Sequence, residues 1–360
     1  MLRLFKFHDF SGSTWTVVND RNLCTMSTSS LKPPSGLTQP VDREFFQREL
    51  ETFVPPKVFD AHCHIWLEAD VAFRIPGWSG DVGAEEYLRF MEDLHPGRQM
   101  AALFLSFALP DDLDGRHRMN EFVGRETARS GSFRGEFFVC PDDDPEWVRQ
   151  EVRRLGLHGL KCYHTFSPVK PTWEAGIADF LPESLVKVAD DEGWVITLHM
   201  VKSRAVADRG NIDCIRRYCE RYPNMKLILA HSARGFQPAH NLEGLPHLKG
   251  LDNLYFDTSA NCEPMAHQAI LRFFGPKKLM YGSDLPVSHL RGRSLAAADS
   301  FIWLYRDSPV WGEKHAAIDP VLVGLEHLRS VKWACWSERL SDEAVEDIFW
   351  NNAARLFHVS

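Results

Sequence analysis

Eight short apolar runs restrict the folds open to this chain more than any other feature of its sequence. They occupy residues 58–65, 100–106, 134–140, 159–164, 194–199, 226–231, 254–258 and 278–284. Each is nearly continuous in apolar residues, as suits strands of a parallel sheet buried on both faces. Helix-length segments lie between most of them, and residues 145–155 and 182–192 repeat apolar positions at i, i+3 and i+4, the period of an amphipathic helix. Eight such units predict an α/β chain whose sheet closes on itself, a (β/α)8 TIM barrel. A core of about 250 residues is usual for that fold, and 360 residues leave room for additions. Two are expected: an N-terminal extension over residues 1–56, partly disordered, ahead of a barrel spanning 57–360, and a long insertion after strand eight, over 289–339.

The extension carries clusters of Ser, Thr and Pro and little periodicity. Its first residues, Met1 to Phe7, hint at a targeting peptide, but Asp9 interrupts them and no long apolar core follows. A floppy leader, or a true start at Met26, is the reading adopted. Residues 42–53 suggest a short amphipathic helix packed under the barrel floor. A formal charge of -8 argues against nucleic acid or an anionic membrane as partner. No apolar run approaches the roughly 20 residues that span a bilayer. Eight cysteines lie scattered with no Cys-x-x-Cys pair, which favours a reducing, cytoplasmic setting over a disulfide framework.

Polar residues sit at the ends of these runs. His62 and His64 close the first, Lys161 lies on the fourth, His199 ends the fifth, His231 the sixth and Asp284 the eighth. Residues i and i+2 of a strand share a side, so His62 and His64 present two imidazoles together and Cys63 faces the packing. All C-terminal strand ends of a barrel open on one face, where active sites are built. Four histidines and one aspartate at that depth are poorly explained as independent core residues and read jointly as a metal site. Three imidazoles and a carboxylate suit a divalent ion, Zn best, with Mn, Fe or Ni also compatible. A water in the remaining position is acidified toward pKa ~7. Asp284 can take its proton as general base, and His231 polarise a carbonyl or stabilise an oxyanion. Lys161 is open to three readings: a carbamylated bridge between two metals, a cation for a substrate carboxylate, or a barrel salt-bridge partner. Tyr163 follows it too closely for side-chain direction to be settled from the sequence.

The pattern Asp60-x-His62-x-His64, His199, His231 and Tyr281-Gly282-Ser283-Asp284-Leu285-Pro286 resembles the amidohydrolase superfamily. Within it the chain is most similar to the amidohydrolase-related (amidohydrolase 2) branch, which holds lactonases, other hydrolases and non-oxidative decarboxylases. The resemblance runs from about Lys57 to Phe357 and includes the closing Asn351-Asn352-Ala353-Ala354-Arg355-Leu356-Phe357. It implies His62, His64, His199 and Asp284 as metal ligands and His231 as a catalytic histidine. Branch members usually hold one metal, which implies one ion per chain and a substrate-binding role for Lys161.

The function expected is a metal-dependent hydrolase that cleaves a C–O or C–N bond of a lactone, ester or amide with a metal-activated water. The phrase Phe59-Asp60-Ala61-His62-Cys63-His64-Ile65-Trp66 looks closer to lactonase-like members than to decarboxylases. A metal-dependent decarboxylase and a non-catalytic metal-binding barrel that docks a partner are the alternatives. Arg234, Arg291 and Arg293, with Lys161 and Tyr163, are the candidate substrate contacts, and cations at the mouth of an acidic protein point to a small anionic substrate. Trp303, Trp311, Trp333 and Trp336 mark the insertion as a segment packed over or beside the mouth, or as a contact between copies of the chain.

Overall fold

The computed structural model describes residues 36–71, 75–106, 113–308 and 319–360. The leader up to residue 35 and Trp311 lie outside them. Eight parallel strands appear in chain order: β1 (Lys57–Ile65), β2 (Gln99–Ser106), β3 (Phe133–Val139), β4 (Gly159–Cys162), β5 (Val195–Leu198), β6 (Lys226–Leu229), β7 (Leu254–Asp257) and β8 (Leu279–Met280). Backbone bonds close the ring between β1 and the chain around and beyond β8: Ala61 N donates to Tyr281 O (2.8 Å), Asp284 N to His62 O (2.7 Å) and His64 N to Leu285 O (3.0 Å). This is the (β/α)8 arrangement expected. No helix among the described residues is long and apolar enough to cross a membrane.

Alternation splits each strand between two cores. On β2, Ala101, Leu103 and Leu105 join an inner cluster with Phe59, Ala61, Ile228 and Met280, while Ala102 and Phe104 pack outward against helices. Trp350, Ala353 and Phe357 of the C-terminal segment belong to that inner cluster, with the Phe357 ring 5.7 Å from Phe59. The C-terminal helix (Asn352–Phe357) therefore plugs the end of the barrel where β1 begins. The N-terminal helix (Pro40–Glu49) is followed by Phe53, whose ring lies 5.6 Å from Phe349 of that C-terminal segment. It runs beside the helix Val323–Ser337, with Asp42 bonded to Arg291 and to Leu322 N.

β1 carries an irregularity that decides where its histidines point. Asp60 pairs with Ala102 but Cys63 with Phe104, so three steps on β1 oppose two on β2. Such a bulge re-aims the side chains that follow it. Phe59 and Ala61 face the inner core, and strict alternation would send Cys63 there too; instead Cys63 joins the outer core and His62 and His64 turn inward.

The segment after β8 divides in two. A hairpin, β9 (Gly292–Ala297) and β10 (Ser300–Tyr305), comes first, and then the helix Val323–Ser337 packs against the helix Pro264–Phe274 on the barrel's outside. Among the described residues of this segment, it is the hairpin that reaches the mouth. Trp303 lines the cavity there, whereas Trp333 and Trp336 stand 43% and 63% exposed on the outer helix.

Candidate metal centre and active site

A cavity of about 730 Å³ opens at the C-terminal ends of the strands, and His62, His64, Lys161, Tyr163, His199, His231, Arg234 and Asp284 all line it. His62, His64 and Asp284 form its tightest group, with one ligand atom from each lying within 4.8 Å of the others. Each ring is oriented from behind. His62 Nδ1 lies 2.9 Å from the buried Asp257 carboxylate and His64 Nδ1 lies 2.9 Å from the Ser106 carbonyl. Both partners only accept, so each neutral ring carries its proton on Nδ1 and turns an unprotonated Nε2 to the cavity.

Burial lowers the pKa of both rings, against the pull of Asp257 on His62 and of Asp284 on His64; His62 falls to about 4. Both are neutral at pH 7. Burial alone would raise the Asp284 carboxyl, but His231, His64 and His62 together hold it down at about 2. Two imidazole nitrogens thus converge on a carboxylate, with Asp284 Oδ1 3.6 Å from His62 Nε2 and 3.4 Å from His64 Nε2. His62 Nε2 has no hydrogen-bond partner among the described residues. Three acceptors turned on one another repel unless a cation lies between them. A tetrahedral ion with bonds of about 2.0–2.1 Å needs donors roughly 3.4 Å apart, so the residues present fit a divalent metal.

His199 lies on the same cavity but outside that tight group. It follows the end of β5, and its ring centroid is 4.9 Å from that of His231. Burial pushes it well below the usual histidine range, and its ring has no hydrogen-bond partner among the described residues.

His231 is set by an unusual backbone. Residues 231–234 all have φ between 54° and 59°, one left-handed turn, a conformation costing about 1–2 kcal/mol per non-glycine residue. The surroundings hold it: Asp257 Oδ1 accepts from His231 N (2.9 Å), and Asn241 and Asn261 side chains donate to the Ser232 and His231 carbonyls. The turn brings His231 and Arg234, three residues apart, to the same cavity. His231 Nδ1 faces the Ser259 carbonyl (3.0 Å) and hydroxyl (2.9 Å). The neutral ring therefore offers Nε2 as an acceptor, and donation to an oxyanion requires the protonated ring.

Lys161 and Tyr163 both turn inward and Cys162 outward, which settles the direction left open by the sequence. Lys161 Nζ is buried without a hydrogen-bond partner among the described residues, 5.0 Å from the Tyr163 ring centroid, and burial lowers its pKa. The Tyr163 hydroxyl is used on the Ser106 carbonyl (2.9 Å), so Tyr163 presents its ring. Arg234 donates to the Lys202 carbonyl (2.8 Å) and lies 5.7 Å from the Phe301 ring centroid. No carboxylate among the described residues pairs with it.

Two expected substrate contacts are corrected. Arg291 is tied to Asp42 (2.6 Å) and to the Leu37 and Pro320 carbonyls, and Arg293 bonds the Cys262 carbonyl (2.9 Å). Neither lines the cavity. Lys202 and Arg204, which follow β5, are likewise paired, with Asp208 and with Glu243. Asp257 was missed, although it ends the seventh run at the same depth as the other strand-end residues. Asp60 also gains a role: buried, with burial raising its pKa to about 7, it accepts from Ser283 N (2.7 Å) and His62 N (3.2 Å) and ties β1 to the Asp284 loop.

Among known families, residues 59–359 match the model described as amidohydrolase. No curated protein matches. Among solved structures, an amidohydrolase from Burkholderia multivorans is 16% identical, with a TM-score of 0.54 over 84% of this chain and 99% of its own. The same protein has been crystallised with bound Zn (17% identity, TM-score 0.50, covering 84% and 99%). A putative 2-pyrone-4,6-dicarboxylic acid hydrolase from Pseudomonas putida is 17% identical (TM-score 0.52, covering 85% and 99%). A 5-carboxyvanillate decarboxylase from Sphingomonas paucimobilis is 15% identical (TM-score 0.50, covering 85% and 100%). At these identities the likeness concerns the fold.

Proposed function

The chain belongs to the amidohydrolase family, and from that footing we propose that it is a metal-dependent hydrolase of a small anionic lactone, ester or amide. The observation that carries this reading is the convergence of the His62 and His64 Nε2 atoms on the Asp284 carboxylate at 3.4–3.6 Å. His62, His64 and Asp284 would hold one divalent ion per chain, Zn in the first instance, as in the Burkholderia relative. His199 is assigned as a further donor from across the cavity. When bound, such an ion supplies Lewis acidity to a carbonyl and acidifies a water.

The chain's own groups do the rest. Asp284, an anion at neutral pH, takes the proton of the attacking water and returns it to the leaving oxygen or nitrogen. His231, with a proton taken up from solvent at Nε2, donates a hydrogen bond to the oxygen that becomes negative. Arg234 holds a substrate carboxylate. Lys161 adds a donor without a competing partner. The seven described cysteines are all unpaired, which supports a cytoplasmic setting. Self-association, where it occurs, would draw on the exposed Trp333 and Trp336.

Decarboxylation is the second reading, favoured by the decarboxylase among the structural neighbours. A panel of lactones, esters, amides and aromatic acids separates the two. The hydrolase reading expects acid release at constant carbon count. Carbon dioxide release from the acids, with no lactone, ester or amide turned over, would replace it.

A further inference from the structure

The hairpin inserted after β8 has one face made of rings. Phe301, Trp303 and Tyr305 lie at i, i+2 and i+4 of β10, and successive residues of a strand point to opposite sides. Their partners on β9 are Ala296, Ser294 and Gly292, three of the smallest side-chain positions available. A Cβ at Gly292 would collide with the Leu304 carbonyl oxygen, and its φ is 137°, so that position needs glycine. One strand supplies the rings while the other stays thin.

Two of these rings reach the cavity. Phe301 and Trp303 line it, and Phe301 stacks on Phe236 at 4.5 Å with 19° between planes. Phe236 in turn lies 5.6 Å from the His231 ring, tilted by 32°. A stepped row of flat faces therefore leads from the candidate catalytic histidine to the hairpin, and Arg234 sits 5.7 Å from the last of them.

This wall is fixed in place. Ala296 N donates to Glu263 (2.9 Å), Cys262 N to the Ser294 hydroxyl (3.0 Å) and Gly292 N to the Val321 carbonyl (3.0 Å), while Asp299 at the turn meets His240 (2.8 Å). The hairpin is bolted to the loops after β6 and β7 and acts as a built surface.

We propose that Phe301 and Trp303, whose rings stand at 79° to one another and form an aromatic corner beside Phe236, select a substrate with a planar, conjugated ring over aliphatic rings and sugars of similar size. The proposal rests on the cavity being the substrate site. A planar ring meets one wall of that corner face to face and the other edge to face, whereas a puckered ring bristling with axial hydrogens or hydroxyls does neither.

Equilibrium binding tests it without any turnover, on the full-length, metal-loaded protein. The probes are benzoate against cyclohexanecarboxylate, and benzamide against cyclohexanecarboxamide. Any contact of the carboxylate with metal or Arg234 is common to both acids, so the affinity ratio reads the ring alone. The neutral pair keeps that reading even where the anionic preference fails. We expect each planar probe to bind about fivefold or more tightly than its saturated partner. Phe301→Leu and Trp303→Leu, which keep apolar bulk, should each reduce the ratio, and the double variant should bring it close to one. Equal affinities in the unaltered protein, no binding of either pair, or a ratio unchanged in the double variant would overturn the proposal. Loss of metal or of hydrolysis with the ratio intact would instead strike the hydrolase reading alone.

Discussion

Asp257 Oδ2 lies 2.9 Å from His62 Nδ1, with both side chains fully buried. The same carboxylate accepts from His231 N and, through Ser259, reaches His231 Nδ1. One acid from β7 thus orients a candidate ligand on β1 and the candidate proton-transfer histidine after β6. Removing such an outer partner typically costs 10–100-fold in metal affinity. Asp257→Asn should weaken Zn binding by about that factor in competition titrations, with the circular dichroism of the fold retained. Unchanged affinity would show that His62 needs no orienting group.

Arg234 is the cavity cation with no carboxylate partner among the described residues. A charge-assisted hydrogen bond contributes about 1.5–3 kcal/mol, so Arg234→Met should raise KM for carboxylate-bearing substrates on the order of 10- to 100-fold. Neutral esters should keep their KM. An equal effect on both classes would remove the arginine from substrate recognition.

Much of this site could be read in the sequence, for a physical reason. A barrel brings every strand end to one face, so a polar residue closing an apolar run announces its location without any knowledge of distant contacts. His62, His64, Lys161, His199, His231 and Asp284 all met on one cavity for that reason. What failed depended on partners far along the chain. Arg291 pairs with Asp42, 249 positions earlier, and no local pattern reveals that. The bulge that swings His62 inward is one extra residue in a continuous run. The left-handed turn at 231–234 has no glycine to signal it and persists only through bonds from Asp257, Asn241 and Asn261. The helix Val323–Ser337 was absorbed into the expected insertion because its outward-facing tryptophans resemble an interface.

Lys161 is a stability cost held at a functional position. Its Nζ is buried without a hydrogen-bond partner among the described residues, and an unsatisfied buried donor costs about 1–3 kcal/mol. Lys161→Met keeps the length of the side chain and removes the donor. In metal-free protein at pH 7 it should raise unfolding free energy by roughly that amount, read from urea melts, while weakening substrate binding. A lower stability would mean that Nζ is satisfied in solution.

Glu136, on β3, accepts from the Thr197 hydroxyl and has its pKa raised to about 8, by burial first and against the pull of Lys161. Between the ordinary value of 4.5 and about 8 the folded state keeps a proton that the unfolded chain releases. Folded protein then binds more protons, so this group makes stability fall as pH rises through that window. Glu136→Gln removes the titration and keeps an acceptor for Thr197. Its Tm should change less from pH 5 to pH 8 than that of the unaltered protein, with the largest relative gain at pH 8. A parallel pair of Tm-against-pH curves would contradict the assignment.

The most direct test of the account is metal content per chain, measured on protein purified without added metal, for the unaltered chain and for His62→Ala, Asp284→Asn and His199→Ala. About one equivalent of a divalent ion is predicted in the unaltered protein. It should be lost in His62→Ala and Asp284→Asn, and reduced in His199→Ala where that ring completes the ligand set. No metal in the unaltered protein even after reconstitution, or full occupancy in His62→Ala and Asp284→Asn, would contradict the claim that these residues form a metal centre.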